Sequence, residues 1–567
     1  MMKPRWHFLF ILLLLNGVVS AQLISVTPFK YSITKQVTVR KGAVVSAHPL
    51  ASQAGAMILQ QGGNAVDAAI ATQLALAVVY PGAGNIGGGG FLVGRLKNGT
   101  TLAIDYREKA PSSARRDMYL DSAGNVIKGL SVLGQLASGV PGTVAGLFAS
   151  HKYGQLSFAK LIAPAIELAD KGFAITAREA KSLNNMKPVF LRYNQSPTAF
   201  TKEGLWKEGD TLVQKDLANT LIRIRDQGIK GFYEGETARL IVEEMKRANG
   251  IISLEDLKNY TAIERKAVIF PYKEYDIITM PLPSSGGVIL QQLMKTMEKR
   301  NLAAKGFQSP EAVQLMIEAE RRSYADRSEF LGDADYVKVP VKRLTSEAYL
   351  EERMKDFVPG KAGNSEQTGH GKINAESEET THLSVIDQWG NAVSVTTTLN
   401  GGYGSATIVT GAGFILNNEM DDFSVKPGQP NMYGALGTEA NAISPGKRML
   451  SSMTPAIVLK KGRPYMVVGT PGGTTITTSV FQSLVNILEF NLSAADAVNK
   501  PKFHHQWKPD VVFVEQDFPE TTVEALQKMG YTIQKRDAIG RTEIILIKSK
   551  TIEAVGDKRG DDSAVGY

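Results

Sequence analysis

His48 to Tyr80 carries two helical patterns, one ending at Gly62-Gly63 and a second opening on Asn64 as N-cap with Asp67 in its first turn. The second body, Ala65 to Val79, is apolar all round, which predicts burial on every face. Ile86-Gly87-Gly88-Gly89-Gly90-Phe91 then leads into a strand-like Leu92-Val93. No Lys-Ser/Thr follows the glycines and no helix opens behind them, so the run predicts close backbone packing or strained turns and not a phosphate cradle. From Gly139 to Gly306, helical patterns such as Phe158 to Lys171 and Asp216 to Gln227 alternate with turn-rich links, a scaffold without obvious chemistry. Pro310 to Phe330 is a further amphipathic helix, and its Glu318, Glu320, Arg321 and Arg322 are expected on a solvated face.

The pattern changes at Pro359 to Glu379, a polar stretch without apolar periodicity that predicts an exposed, flexible segment. Immediately after it, Thr381 to Ile386 and Ala392 to Thr398 are β-branched and alternate, joined by Asp387-Gln388-Trp389-Gly390-Asn391, which predicts a hairpin. Thr380 stands at the junction.

At 567 residues, with 43% hydrophobic and 21% charged, the chain has ordinary globular composition and room for two domains or one large layered one. Lys3 and Arg5, the apolar run Phe8 to Leu15 and Val19-Ser20-Ala21 predict a secretory signal peptide over residues 1–21, too short in its apolar part to be a membrane anchor. The mature protein is therefore expected free in the periplasm or the medium. The chain has no cysteine, which excludes a lipoprotein anchor, thiol catalysis and thiolate metal sites. Lys3 and Arg5 supply two of the net +8, so the remainder carries +6 without a concentrated basic run, and nucleic acid is not an expected partner. His504-His505 lack a third ligand at metal spacing and are expected to be structural; neither a metal nor another cofactor is expected.

Several motifs carry a family resemblance. Thr380-Thr381-His382-Leu383-Ser384, Gly390 to Asn400 and Tyr403-Gly404 resemble the start of the small subunit of gamma-glutamyltransferases at matching spacing. Asp105 to Pro111, Leu416 to Phe423, Ser451 to Pro455 and Gly469 to Gly473 resemble further motifs of the same family, and the likeness covers essentially the whole mature chain. It implies an α+β fold of the N-terminal-nucleophile hydrolases, a four-layer αββα sandwich formed jointly by two subunits after self-cleavage. Residues 22–379 would be the large subunit and 380–567 the small one, associated as a heterodimer without a covalent link. The substrates implied are glutathione and other γ-glutamyl compounds, with water, an amino acid or a peptide as acceptor.

The chemistry supports that assignment. An internal threonine is a poor nucleophile, but a Glu379-Thr380 cut leaves an α-amino group of pKa about 7.7–8.0 on the residue that bears the hydroxyl, so the base comes with the nucleophile. A γ-linked glutamate keeps its α-amino and α-carboxylate groups free, so recognition needs both signs of charge. Arg107 offers a fork suited to a carboxylate, with Ser451 and Ser452 as hydroxyl donors. By resemblance these three hold the α-carboxylate, while Asn400, Glu419 and Asp422 grip the α-ammonium; Glu419 is glutamine in some bacterial members. The resemblance also assigns the oxyanion hole to Gly472-Gly473, a hydrogen bond to the nucleophile to Thr398, and a lid carrying Tyr433 to Pro427 to Gly434. Two other readings stay open: an acylase relative acting on glutaryl side chains of β-lactams, and an unprocessed binding protein without catalysis.

Overall fold

The computed structural model describes residues 23–195, 197–368 and 380–567. The predicted leader, residues 1–21, and Glu379 lie outside the described residues. Two antiparallel seven-stranded sheets form the centre. One runs, in spatial order, Ser563–Gly566, Ala43–Ser46, Thr381–Ile386, Ala392–Thr398, Gly89–Arg95, Thr101–Asp105 and Ile263–Glu264. The other runs Gln36–Val39, Ile552–Val555, Glu543–Ile547, Arg463–Gly469, Ala456–Lys460, Tyr275–Thr279 and Val268–Tyr272. Each sheet thus takes strands from both sides of position 380.

An apolar cluster fills the space between the sheets, with Val45, Phe91 and Val93 from one meeting Ile278, Val467 and Ile545 from the other. A second cluster lies under the helices Pro49–Gln60 and Ala65–Val79 on the outer face of the first sheet. A third packs Gly286–Glu298, Pro310–Phe330 and Thr475–Leu488 on the second. The expected caps are present: Asn64 accepts from the N–H groups of Val66 and Asp67, and Asp67 returns a bond to Asn64 N–H at 2.9 Å, a complete capping box. Every residue of Ala65–Val79 is buried, as its all-round apolar pattern requires. The helices Phe158–Lys171 and Lys215–Gln227 and the hairpin Thr381–Ile386/Ala392–Thr398 also stand where the pattern puts them. Among the described residues no helix is long and apolar enough to cross a membrane.

The glycine run is a site of close approach. A Cβ on Gly87 would lie 2.1 Å from the Ile415 carbonyl oxygen, and one on Gly88 2.1 Å from that of Thr398. The run lets the strand Gly89–Arg95 pair along the whole of Ala392–Thr398, and so it fixes where that strand ends.

One expectation is overturned. Glu318, Glu320, Arg321 and Arg322 do not face solvent; all four are at most 4% exposed. Their charges are neutralised internally, because Glu318 pairs with both Arg321 (3.3 Å) and Arg322 (2.5 Å) and accepts from the Tyr531 hydroxyl at 2.7 Å. Glu320 accepts from His505 N–H at 2.9 Å, and burial pushes its carboxyl well above the usual range. Charge spacing on a helix does not distinguish a wet face from a buried ion network whose partners arrive from distant sequence. His504 and His505 are themselves buried and bonded to Thr478, Gln506 and Asp510.

Candidate active site

Thr380 stands immediately before the strand Thr381–Ile386 and is 3% exposed. Pairing of Thr381 with Thr397 brings Thr398 alongside it, with the two hydroxyl oxygens 3.5 Å apart. Thr398 Oγ1 also accepts from Asn400 N–H at 2.7 Å, so its orientation is fixed by backbone and its own proton can point at Thr380. Asn400 has a left-handed backbone, φ 74°, where the chain leaves the sheet, and its Nδ2 donates to the Asn418 carbonyl at 3.0 Å.

Arg107 follows the strand Thr101–Asp105 and is 1% exposed. Its Nη1 lies 2.6 Å from Glu419 Oε2, its Nη2 2.5 Å from Asp422 Oδ2, and Glu108 Oε2 is 3.5 Å from Nη1. Burial works against the guanidinium charge, but Glu419, Asp422 and Glu108 together outweigh it and hold the group above its ordinary range. The same burial pushes Glu108 up to about 8, with Arg107 pulling the other way, and raises Glu419 well above the carboxylate range. Glu419 contacts Arg107 only as an ion pair, since neither of its oxygens accepts a hydrogen bond among the described residues. Glu419 and Asp422 share a single 3-10 turn, Glu419–Asp422, which presents both to Arg107.

Ser451 and Ser452 close another side. Ser451 O accepts from the Ser285 hydroxyl at 2.7 Å, and Ser452 Oγ accepts from Arg327 Nη2 at 3.1 Å. Gly472 and Gly473 have φ of 137° and 49°, a turn that side chains would strain. They immediately precede the helix Thr475–Leu488, whose dipole adds partial positive charge where an anion would develop. Tyr433 is buried and donates its hydroxyl to the Asn400 carbonyl at 2.5 Å, while Asn431 of the same loop donates to Asp422 Oδ1 at 3.0 Å. The loop therefore rests on the residues that surround Thr380.

Ten of the twelve residues predicted from sequence line one narrow cleft of about 20 Å³. Gly472 adjoins the lining through Gly473, and Glu379 lies outside the described residues. Sequence reasoning missed Arg327, which lines the cleft from the last turn of Pro310–Phe330 and donates to both Ser452 and Ser285 at 3.1 Å. In sequence it is an ordinary cation at a helix C-terminus. Nor did that reasoning single out Asn431 and Glu108, both of which lay in segments quoted for other reasons. Among the described residues no three His, Asp or Glu side chains could together hold a metal ion.

Similarity to known proteins agrees with this arrangement. The glutathione hydrolase proenzyme of Escherichia coli K12 is 44% identical over 550 residues, covering 95% of each chain. A crystal structure of Helicobacter pylori gamma-glutamyltranspeptidase is 46% identical with a TM-score of 0.56, covering 60% of this chain and 95% of that one. A cephalosporin acylase from Bacillus halodurans is 26% identical with a TM-score of 0.82, covering 96% of this chain and 99% of that one. The α+β fold is that of the N-terminal-nucleophile hydrolases to which these structures belong. A family model described as gamma-glutamyltranspeptidase matches residues 51–567, and the chain belongs to the gamma-glutamyltranspeptidase family.

Proposed function

We propose that this chain is a γ-glutamyltransferase and glutathione hydrolase whose nucleophile, Thr380, is produced by self-cleavage of the Glu379-Thr380 bond. The observation that carries the reading is the juxtaposition of the Thr380 and Thr398 hydroxyls, 3.5 Å apart, with a buried cluster containing both a guanidinium and two carboxylates.

In the first step the Thr380 hydroxyl attacks the Glu379 carbonyl, the C–N bond breaks to give an ester and a free amine, and water hydrolyses the ester. The released amine then takes the hydroxyl proton as Oγ1 attacks the γ-carbonyl of the donor. Thr398 orients that oxygen, and the N–H groups of Gly472 and Gly473 stabilise the oxyanion. The leaving amine departs with the proton, and the γ-glutamyl ester passes to water, an amino acid or a peptide. Arg107, Ser451 and Ser452 receive the donor's α-carboxylate, and Asn400, Glu419 and Asp422 its α-ammonium. Tyr433 and its loop cover the acyl group.

The interleaving of strands supports the finer architecture: a four-layer αββα sandwich built jointly by residues 22–379 and 380–567, which stay together as a heterodimer after the cut. The coverage of the Helicobacter pylori chain, 60% of this chain against 95% of its own length, is also what a separate large subunit would give. The leader over residues 1–21 supports export to the periplasm or the medium.

The test is Thr380→Ala, examined by mass spectrometry and by turnover of a γ-glutamyl anilide. The wild type should give two fragments divided at Glu379-Thr380 and should release the anilide; the variant should stay a single inactive chain. Normal cleavage in the variant would falsify the assignment of Thr380 as processing nucleophile. An intact, inactive wild type would favour the binding-protein reading.

A further inference from the structure

We propose that the end of the paired sheets remote from Thr380 is a binding groove for an acidic polysaccharide. The feature is a cavity of about 620 Å³. Five turns between consecutive strands line it: those at Arg40-Lys41, Leu96-Lys97, Asp387 to Gly390, Gly462 and Lys548 to Thr551. Strand Thr381–Ile386 runs from Thr380 to this groove, so six residues at about 3.4 Å each place it roughly 20 Å from the nucleophile. It lies outside the catalytic cleft and shares no lining residue with it.

Charge is concentrated there. The lining contains Arg40, Lys41, Arg95 and Lys97 from the earlier part of the chain and Arg463, Lys548 and Lys550 from the later part, against the single carboxylate of Asp387. That is an excess of six positive charges, equal to the net charge of the whole chain beyond Lys3 and Arg5. The remaining charge of the molecule therefore balances to zero. Asp387 does not neutralise the groove for a ligand: it is 3% exposed and already accepts from the N–H groups of Ala65, Trp389 and Asn391. Among the described residues only one of the seven cations, Lys548, has an ion-pair partner, Glu553 at 2.5 Å. Arg40, Lys41, Lys97, Arg463 and Lys550 are exposed. Concentrating unpaired like charges in one concavity costs stability through self-repulsion, and an anionic ligand relieves that cost.

The shape and the neutral groups select the kind of polyanion. Cations spread over four of these turns and the strand ends beside them fit a chain with repeated charges better than a single small anion. A membrane surface is met by projecting basic and apolar side chains, whereas this feature is concave. Single-stranded nucleic acid is held by successive aromatic platforms, and the lining offers one aromatic ring, the half-buried Trp389. One ring with Gln388, Ser549 and Thr551 around it suits a sugar ring, which can lie on the indole face while its hydroxyls bond to the polar neighbours. Carboxylated and sulfated glycans share this chemistry, and the experiment separates them.

The processed enzyme is titrated by calorimetry with polygalacturonate oligosaccharides and with heparin oligosaccharides, at low and high salt, beside neutral dextran, single-stranded DNA and phosphatidylserine vesicles. Saturable binding of at least one acidic glycan is expected, falling steeply with salt, and none of dextran. The triple variant Lys97→Glu/Arg463→Glu/Lys550→Glu, all surface positions, should lose about 100-fold or more in affinity while retaining wild-type γ-glutamyl-anilide turnover and unfolding at no lower a temperature than the wild type, since it relieves the self-repulsion. Trp389→Ala should weaken glycan binding by roughly tenfold, on the scale of one stacked ring. The proposal is overturned by any of four results: no saturable glycan binding at low salt, equal binding by the triple variant, an unaffected Trp389→Ala, or tighter binding of DNA or vesicles than of either glycan. Anilide turnover is read separately, so failure here leaves the catalytic reading intact, and the reverse holds as well.

Discussion

Replacing Asp422 by Asn should cost the enzyme most of its activity on γ-glutamyl donors and little on donors lacking the α-amino group. Arg107 fills its fork with Glu419 and Asp422, at 2.6 and 2.5 Å, inside a cleft of only about 20 Å³. On the proposed reading, a γ-glutamyl group enters by parting these pairs. Its carboxylate then replaces the acidic side chains at Arg107, and its ammonium replaces Arg107 at the acidic side chains, so each buried charge exchanges one partner for another. A glutaryl group supplies the first replacement but not the second. Leaving one side of such a pair uncompensated costs about 2–5 kcal/mol. At about 1.36 kcal/mol per tenfold, the wild type should then prefer the γ-glutamyl anilide over the glutaryl anilide by roughly 30-fold to several thousandfold in kcat/KM. The two acids should not contribute equally. Burial, reinforced by Glu108 and Asp422 against the pull of Arg107, raises Glu419 toward its neutral form. The Asp422 side chain is 15% exposed against 0% for Glu419, so solvent supports a charge there where burial opposes one on Glu419. Glu419→Gln should accordingly cost about fivefold, the worth of one neutral hydrogen bond of about 1 kcal/mol, and Asp422→Asn about 30-fold or more. Steady-state kinetics of both anilides on the three proteins decides the matter. Equal use of the two donors by the wild type would refute the exchange and favour the acylase reading, whereas a larger loss in Glu419→Gln than in Asp422→Asn would make Glu419 the principal partner of the ammonium.

Arg107→Lys keeps a charge but loses the two-pronged contact, so kcat/KM for the γ-glutamyl anilide should fall by about tenfold or more while cleavage at Thr380 proceeds; unchanged kinetics would remove Arg107 from the carboxylate site. Gly88→Ala would set a Cβ 2.1 Å from the Thr398 carbonyl oxygen, and relieving that overlap should cost about 1–3 kcal/mol and slow self-cleavage by displacing Thr398. An unaltered unfolding temperature in that variant would count against the close approach. The free amine of processed Thr380 must be neutral to act, and an α-amino group ordinarily titrates at about 7.7–8.0. The acid limb of kcat/KM should therefore bend at or below pH 8 and fall tenfold per unit beneath the bend; a flat profile from pH 8 down to 5 would exclude the amine as base.

The parts legible in sequence are those whose causes are local. Asn64 and Asp67 announce a helix start because a capping box closes within four residues, and the hairpin after Thr380 is legible because alternation and its turn lie in one short segment. Gly87 and Gly88 were legible as crowding, though what crowds them, the carbonyls of Ile415 and Thr398, comes from more than 300 residues away. Distant partners also explain the failures. Glu318 and Arg321 look like solvated charges until Tyr531 and Asp510 arrive to bury them, and Arg327 looks like a helix-end cation until Ser452 meets it. The basic groove is the clearest case: its seven cations lie in four separate stretches of sequence, and only the alignment of turns at one end of the sheets gathers them.

The placement of Thr380 also accounts for how the proposed cut would leave the fold intact. Thr381–Ile386 is an interior strand, held on one side by four register pairs to Ala43–Ser46 and on the other by six to Ala392–Thr398. Ala392–Thr398 is bound in turn to Gly89–Arg95 by seven. The ladders to Ala43–Ser46 and to Gly89–Arg95 join segments from opposite sides of the cut, and none of these bonds involves the Glu379-Thr380 peptide. The proposed scission would therefore remove chain connectivity but no sheet contact, and would create the new amine at a residue whose hydroxyl, neighbour Thr398 and flanking strands are already in position. Catalytic competence would then need no rearrangement of the sheet after the cut, because Thr398, Arg107 and Asp422 already line the same cleft as Thr380.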